Sequence, residues 1–230
     1  MSQWHEETLP EQLPESPMEL AHGWFRAAID GRIQPNPDAM VLATADRSGN
    51  PSARVVLCKQ LVVAPGYLVF FTNYDSRKGR ELTERPSAAA VFHWDSLRRQ
   101  MRVEGTVVRS PDEESDAYFV QRAWQSRIGA WASRQSQPIA SRELLLDKVG
   151  ETAAQFGADF EAGEPATEGD GPQIPRPAFW GGFRLWISRM ELWTEGAGRV
   201  HDRALWQRDL ARTTGDRFEF GPWRCSRLQP

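Results

Sequence analysis

The start of a helix at Arg77 is the first place in the sequence whose residue types suit an anion. Asp75 or Ser76 can cap a helix that begins there, directly after a strand-like run. The backbone N–H groups of a helix start and its partial positive charge favour an anion, and Arg77 and Lys78 add two full charges. No Walker-type or dinucleotide-binding glycine loop occurs, so side chains and this helix start would have to hold a phosphate. The sequence therefore predicts a phosphate site here, with a surface hairpin bearing solvated cations as the alternative.

A second candidate phosphate site lies on a helix opened by Pro111 and the acidic residues that follow it. Tyr118, Arg122 and Ser126 are spaced by four and can share one face of that helix. A phenol, a guanidinium and a hydroxyl in a row suit a phosphate monoester. The alternative is an ordinary exposed row of polar residues, which is common on helices.

A third group of candidates falls near the C-terminus, in a run predicted to be a strand. Strand alternation places Arg199, His201 and Arg203 on one face. Three cationic or titratable groups side by side repel one another unless an anion sits among them, which is typical of a site. The alternative is a surface strand whose arginines pair with acids such as Asp202 and Glu195.

The elements that must position these residues are mainly strands. Helices are predicted from Pro17 to about Gly31, from Arg77, from Pro111, and from Ser141 to about Phe160. Short links and few long helices between strands favour an antiparallel barrel over a parallel sheet. The predicted strands are Met40 to Asp46, a hairpin of two runs around Ala64-Pro65-Gly66, Ser87 to Trp94, Gln100 to Val108, Phe183 to Ile187, Met190 to Thr194, Arg199 to Arg208 and Trp223 to Leu228.

Composition excludes several classes of protein. The chain of 230 residues is 40% hydrophobic, carries a net charge of -3 and interleaves acids with bases, which argues against nucleic-acid binding. Cys58 and Cys225 lie far apart with no histidine cluster, so neither a metal site nor a disulfide framework is expected. No secretory leader or membrane-spanning run is evident, and we expect a cytoplasmic protein without membrane partners. Residues 1–17 are acidic and contain prolines, which predicts a mobile arm or strap before a single domain at 18–230.

Seven sequence blocks follow one another between about Met40 and the C-terminal Arg-Leu-Gln-Pro. They are Arg54-Val-Val-Leu-Cys-Lys59, Phe71-Thr72 with Ser76-Arg77-Lys78, Arg99-Gln100, Tyr118-Phe-Val-Gln-Arg122, Ile128-Gly-Ala-Trp131 with Gln135-Ser136, Trp180-Gly-Gly-Phe-Arg184, and Arg199-Val-His-Asp-Arg203. In their order and spacing these blocks closely resemble those of the pyridoxamine 5'-phosphate oxidase family.

The resemblance implies an FMN-binding split β-barrel, mainly β with flanking helices, that forms a homodimer with FMN at each of two inter-subunit sites. The FMN-binding residues that it implies are Arg54, Lys59, Phe71, Thr72, Arg77, Lys78, Gln100, Gln135, Ser136, Trp193 and Arg203. The substrate-binding residues that it implies are Lys59, Tyr118, Arg122, Ser126, Arg199 and His201, with Tyr118, Arg122 and Ser126 on the substrate phosphate. Arg199, as a lid, and His201 are the implied catalytic residues.

The implied reaction is oxidation of pyridoxine or pyridoxamine 5'-phosphate to pyridoxal 5'-phosphate. A hydride passes from C4' of the substrate to flavin N5, and oxygen reoxidises the flavin to give hydrogen peroxide. The protein mainly positions the reactants, because the flavin carries the redox step. Two phosphorylated ligands, flavin and vitamer, would explain why the residues suggest two phosphate sites.

One feature conflicts with a regular strand. Strict alternation places Arg54 and Lys59 on opposite faces, so a β-bulge or ligand approach at the strand end is required if both contact one cofactor.

The chain also departs from the family pattern near the substrate. The Arg-x-x-Tyr segment that many members carry near the N-terminus is not evident in residues 1–17. Gln121-Arg122-Ala123-Trp124 replaces the more usual Ser-Arg-Pro-Arg, and Arg127 replaces a usual glutamine. Because Trp124 could reshape the pocket, a phenazine-biosynthesis-type or other specialised FMN oxidase acting on a larger aromatic substrate stays open. A non-catalytic flavin- or pyridoxal-phosphate-binding protein is the alternative of another class.

Overall fold

The computed structural model describes residues 8–158, 173–213 and 217–230, which fall into two compact units. The first comprises Met1–Phe70, Glu84–Val108 and Arg184–Pro230, and the second comprises Phe71–Thr83 and Arg109–Phe183. The helices are α1 (Met18–Asp30), α2 (Arg77–Glu84), α3 (Asp112–Val120), α4 (Trp124–Ala132) and α5 (Arg142–Gln155). The strands are β1 (Ala39–Ala45), β2 (Pro51–Val62), β3 (Tyr67–Asn73), β4 (Ser87–Trp94), β5 (Arg99–Arg109), β6 (Trp180–Thr194), β7 (Asp202–Gln207), β8 (Leu210–Arg212), β9 (Phe218–Phe220) and β10 (Arg224–Leu228).

Six strands close into an antiparallel barrel. The sheet runs β10-β7-β6-β3-β2-β1-β4-β5, and an additional pairing of β6 with β5 closes the ring. The sequence of β4 explains why it forms a strand. Its buried residues alternate with more exposed ones, as a strand with one face on a core requires. Those buried residues are Ala88, Ala90, Phe92 and Trp94. The predicted mainly β fold, a split barrel with flanking helices, is confirmed.

The β2–β3 hairpin contains a bulge between Cys58 and Gln60. In the register, Cys58 is opposite Phe70 and Gln60 is opposite Val69, so Lys59 has no partner in β3. An extra residue of this kind breaks the alternation of faces along a strand. A bulge, one of the two ways in which Arg54 and Lys59 could both reach one ligand, is therefore present in β2.

A separate hydrophobic core supports the second unit. It joins α3, α4 and α5 to the start of β6 through Phe119, Trp124, Ile128, Ala153, Ile174 and Trp180. Arg176 fastens the start of α3, because its guanidinium bonds Asp112 (2.8 Å) and Asp116 (2.6 Å). The bulky Trp124 is a buried core residue of this unit.

Several boundaries differ from the prediction. Phe183–Thr194 was expected as two strands, but β6 runs without a break from Trp180 to Thr194. Helix α5 begins after Ser141, whose Oγ accepts the Leu144 N–H, as predicted. It ends at Gln155 rather than near Phe160, because Gly157 adopts a φ of +70°. The small β8–β9 hairpin was not predicted.

Residues 9–14 lie along β7 and β10 of the first unit. The Leu9 N–H donates to Asp202 Oδ2 (2.9 Å), and Trp206 Nε1 donates to the Pro14 carbonyl (2.9 Å). The Arg227 guanidinium donates to the Pro10 carbonyl (2.8 Å). Residues 1–7 lie outside the described residues, and the division into an arm at 1–17 and one domain at 18–230 stays a prediction.

Candidate functional site

Helix α2 begins as the sequence suggests, with Ser76 as its cap. The buried Ser76 Oγ accepts the backbone N–H of Gly79 (3.2 Å), and the Ser76 carbonyl accepts the Arg80 N–H (2.9 Å). A Cβ at Gly79 would lie 2.1 Å from the Tyr74 carbonyl oxygen, so only glycine permits this tight start. No acid occupies the first turn of α2, which leaves the start of the helix suited to an anion.

Lys78 places a buried ammonium beside this helix start. It is 8% exposed, and its Nζ donates to Thr72 Oγ1 and Gln135 Oε1, both at 3.0 Å. Thr72 Oγ1 also donates to Gln135 Oε1 (3.0 Å). Three residues predicted to bind FMN, from β3, α2 and the loop after α4, therefore meet at one point. The chemistry of these donors fits a phosphate oxyanion.

A cavity of about 830 Å³ adjoins this cluster within the second unit. Gln135 and Ser136 line it, and Ser136 adopts a left-handed φ of +69°. Arg77 is more than half exposed, and its Nε lies 2.8 Å from Glu81 Oε1. Arg77 therefore stands at the helix start as predicted, already held by a carboxylate. The other cavity-lining residues are Asn73, Asp75, Ala132, Ser133, Arg134, Gln137, Pro138, Ile139, Leu145, Lys148 and Phe179.

An aromatic stack lies at the second predicted phosphate site, that of Tyr118 and Arg122. Phe71 and Tyr118 stack with ring centroids 4.0 Å apart, and Trp180 continues the stack 5.6 Å from Phe71. The Arg122 guanidinium lies over the Trp180 ring, 4.7 Å from its centroid. Phe71, expected at FMN, thus contacts Tyr118, expected at the substrate, within the second unit.

The prediction of one helix carrying Tyr118, Arg122 and Ser126 is wrong. Helix α3 ends at Val120, Arg122 lies in the link, and Ser126 is on α4. The Arg122 N–H bonds the Phe119 carbonyl, three residues back, and Ala123 is extended with a ψ of 137°. This break lets Phe119 and Trp124 enter the same core, which a straight helix would not allow.

Arg122 retains a buried donor despite the break. Its Nη1 is buried and has no hydrogen-bond partner among the described residues. Burial lowers the pKa of Arg122, opposed by Tyr118 and assisted by the positive charge of Arg127. An unpaired buried guanidinium nitrogen is costly unless an anion binds it. The observation fits a phosphate held at Arg122.

Arg199 and His201 do not share a strand face with Arg203, contrary to prediction. Strand β7 begins at Asp202, and Arg199 lies in a 3-10 turn (Ala197–Arg199) with a φ of +66°. The Gly196 N–H donates to His201 Nδ1 (3.2 Å) and closes the turn. Because Nδ1 accepts this bond, Nε2 carries the proton of the neutral ring and can donate.

Trp193 and Arg203 occupy paired positions on β6 and β7. The Trp193 ring lies 4.7 Å from that of His201. Arg203 donates to the buried Glu191 through Nε (2.9 Å), and Arg102 also reaches Glu191 (3.1 Å). The alternative was that Arg199 and Arg203 pair with acids such as Asp202 and Glu195. Among the described residues, Asp202 instead pairs with Arg227 and Glu195 with Arg98.

The other candidates of the first unit lie on barrel strands. Arg54 Nη1 donates to the Leu42 carbonyl (3.3 Å) and to Thr44 Oγ1 across β1. Lys59, at the bulge, contacts Asp38 Oδ2 at 2.7 Å. Gln100, on β5, lies opposite His93 of β4 and is partly buried.

Sequence reasoning missed the carboxylates that hold these cations. Asp38 holds Lys59 and Glu191 holds Arg203, and neither acid is near its partner in sequence. The sequence indicates Trp180 only as part of a motif and does not predict its stacking on Phe71. The glycines that follow Trp180 were the available signal of close packing, because a Cβ at Gly182 would lie 2.9 Å from the Phe71 ring.

No group of three or more metal-binding side chains occurs in the described parts of the chain. Within those same parts, none of the helices has the length and apolar character needed to span a membrane.

Comparison with known proteins gives consistent matches across the chain. A family model described as pyridoxamine 5'-phosphate oxidase matches residues 25–156. A model of the pyridoxine 5'-phosphate oxidase C-terminal dimerisation region matches residues 180–230. The chain is 47% identical over 207 residues to the pyridoxine/pyridoxamine 5'-phosphate oxidase of Burkholderia mallei, covering 90% of this chain and 86% of that protein.

Two solved structures are also similar. PhzG from Burkholderia lata, in complex with tetrahydrophenazine-1-carboxylic acid, has a TM-score of 0.76 at 27% identity and covers 97% of this chain and 100% of its own. A pyridoxamine 5'-phosphate oxidase-related, FMN-binding protein from Nostoc punctiforme has a TM-score of 0.65 at 15% identity, covering 95% and 100%, which shows the fold alone.

Proposed function

The chain belongs to the pyridoxamine 5'-phosphate oxidase family, and from that premise we propose that it is an FMN-dependent oxidase. It converts pyridoxine or pyridoxamine 5'-phosphate to pyridoxal 5'-phosphate with oxygen as acceptor. The observation that supports this proposal is that the second unit contains two buried or partly buried cationic side chains, each suited to an oxyanion. Lys78 at the start of α2 is one, and Arg122 over Trp180 is the other. Two phosphorylated ligands require two such sites.

Lys78, Thr72, Gln135, Ser136 and Arg77 would hold the FMN phosphate. The Lys78 ammonium supplies a full charge and up to three donors, and the capped start of α2 adds a favourable partial charge. When bound, FMN accepts a hydride from the substrate and passes its electrons to oxygen. The other residues proposed for the cofactor are Arg54, Lys59, Phe71, Gln100, Trp193 and Arg203, which would orient it.

Tyr118, Arg122 and Ser126 would bind the substrate phosphate. The buried Arg122 Nη1 is ready to donate, and stacking on Trp180 fixes the plane of its guanidinium. Lys59, Arg199 and His201 would contact the rest of the substrate. Arg199, exposed on its turn, is suited to close over the substrate as a lid. His201, with its Nδ1 held by Gly196, can hydrogen-bond the reacting substituent through Nε2 or assist proton movement there.

We propose that the protein is a homodimer with an FMN at each of two inter-subunit sites. The match to a dimerisation region at residues 180–230 supports this. Val41 and Val55 are directly paired across β1 and β2 and are 44% and 65% exposed. Such apolar residues side by side on a barrel suit burial against a second copy.

Oxygen consumption by the purified, FMN-loaded protein tests the proposal. With pyridoxine or pyridoxamine 5'-phosphate, we expect oxygen uptake matched by hydrogen peroxide and pyridoxal 5'-phosphate, the latter followed by its absorbance. A protein that binds FMN but consumes no oxygen with either substrate would contradict the vitamer assignment.

A phenazine-biosynthesis-type oxidase is the second candidate. The similarity to PhzG across 97% of the chain favours it. Trp124, which could have reshaped a pocket, is instead a buried residue of the second core. Oxidation of a tricyclic aromatic carboxylate, with no reaction of either vitamer, would support this candidate. A flavin carrier without turnover would show neither reaction and no hydrogen peroxide.

A further inference from the structure

Two arginines near the start of α4 have buried nitrogens that nothing in the described chain satisfies. Arg122 Nη1 and Arg127 Nε are both buried, and neither has a hydrogen-bond partner among the described residues. Each is a strong donor, and leaving such a donor buried and unpaired costs free energy comparable to a lost charged hydrogen bond. Arg122 was expected to bind phosphate, but Arg127 has no role in the function so far proposed.

The two guanidinium groups also disfavour each other. Burial lowers the pKa of Arg122, and the positive charge of Arg127 contributes to the same lowering. Arg127 lies in the first turn of α4, where a cation meets the positive end of the helix dipole, and no acid lies in that turn. Both arginines are therefore held in an arrangement that a bound anion would stabilise.

An ordinary surface arginine does not explain this arrangement. Solvated arginines place their nitrogens in water or against a carboxylate, as Arg176 does with Asp112 and Asp116. Arg122 instead stacks on Trp180, and the Arg127 Nε is enclosed by protein. The unsatisfied donors are side-chain atoms on two separate segments, the α3–α4 link and α4 itself.

We propose that Arg127 is a further substrate-binding residue, which with Arg122 forms a two-guanidinium site for a dianionic phosphate monoester. The inference deepens the proposed function and rests on it for the identity of the ester. A phosphate offers three oxygens, enough to accept from both guanidinium groups and from the Ser126 hydroxyl on the same helix. Two guanidinium cations match the charge near -2 of a phosphate monoester better than they match the single negative charge of a carboxylate ligand.

The test measures binding without turnover. The probe is 4-deoxypyridoxine 5'-phosphate, whose C4' carries no oxygen or nitrogen to oxidise, titrated into FMN-loaded protein in a calorimeter. Arg127→Gln should weaken this binding by roughly 10-fold, the loss of one charge-assisted hydrogen bond. The unphosphorylated 4-deoxypyridoxine should bind Arg127→Gln and wild type equally. Arg127→Lys, which keeps the charge, should recover part of the affinity.

A matched control removes the same charge elsewhere in the second unit. Arg142→Gln, on the exposed start of α5, should leave both affinities unchanged. Unchanged phosphate-ester binding in Arg127→Gln would overturn the inference, as would an equal loss for both probes, because that would indicate a structural role. A loss confined to phenazine-1-carboxylate, used as a third probe, would overturn the phosphate assignment. Because binding is read directly, absence of oxidase activity would refute the proposed function and leave this result interpretable.

Discussion

Replacing Lys78 with methionine removes the buried charge at the predicted FMN phosphate site while keeping a similar volume. The wild-type ammonium is 8% exposed and lies 3.0 Å from both Thr72 Oγ1 and Gln135 Oε1. A hydrogen bond between charged groups contributes about 2 kcal/mol in such a setting, so FMN should bind roughly 30-fold more weakly to Lys78→Met. Quenching of FMN fluorescence during titration of the apoprotein measures this change.

The same variant should leave the apoprotein nearly unchanged. Thr72 Oγ1 donates to Gln135 Oε1 at 3.0 Å, so both groups keep a partner when the ammonium is lost. Removing a buried ammonium also removes its desolvation cost, so we expect the apoprotein free energy of unfolding to change by less than about 1 kcal/mol. At saturating FMN, however, weaker binding should lower the holoprotein melting temperature by about 4–8 °C relative to wild type.

Arg80→Met is the matched control for this prediction. Arg80 lies on the same helix, and its exposed side chain donates to the Asp75 carbonyl. The variant loses the same charge two residues further along α2, on an exposed side chain, and should bind FMN within about threefold of wild type, because an exposed charge interacts weakly. Wild-type FMN affinity in Lys78→Met, or an equal loss in both variants, would refute the reasoning.

Two further predictions concern buried groups of the first unit. Glu191→Gln should lower the free energy of unfolding by about 2 kcal/mol in urea, because Arg203 and Arg102 lose the carboxylate that holds them; an unchanged midpoint would contradict this. Burial raises the pKa of Cys58 to about 12 from an ordinary 9.0. Under native conditions at pH 8, a disulfide reagent should therefore modify only the exposed Cys225, whereas after denaturation it should modify both thiols. The neutral Cys58 thiol also contributes stability that is present below pH 9.0 and lost as the pH rises towards about 12, a fall that Cys58→Ala should reduce.

The predictable parts of the fold were those set by local pattern. Alternating residues such as Phe92 and Trp94 specify a strand with one buried face, and the order of short strands indicated the barrel. Ser76 and Ser141 could be identified as helix caps because a cap depends on residues three positions away. The bulge at Lys59 was considered only because strict strand alternation places the two candidate FMN-binding residues Arg54 and Lys59 on opposite faces.

The parts that could not be predicted depend on distant contacts. The α3–α4 break at Arg122 follows from the burial of Phe119 and Trp124 in one core, which no local signal reveals. The sequence predicts a strand where Arg199 lies in a turn, because alternating charges are compatible with a strand and with a turn. The pairing of Glu191 with Arg203 joins neighbouring strands whose register the sequence alone does not specify.

The reductive half-reaction without oxygen tests the central claim most directly, namely that this chain holds FMN so that a vitamer phosphate can reduce it. We predict that adding pyridoxine or pyridoxamine 5'-phosphate to the anaerobic, FMN-loaded protein abolishes the visible absorbance of the flavin, and that admitting oxygen restores it. The unphosphorylated vitamers should reduce the flavin only at much higher concentration, because they have no phosphate to bind at Arg122. Flavin that stays oxidised with both phosphates, in a protein shown to bind them, would contradict the account.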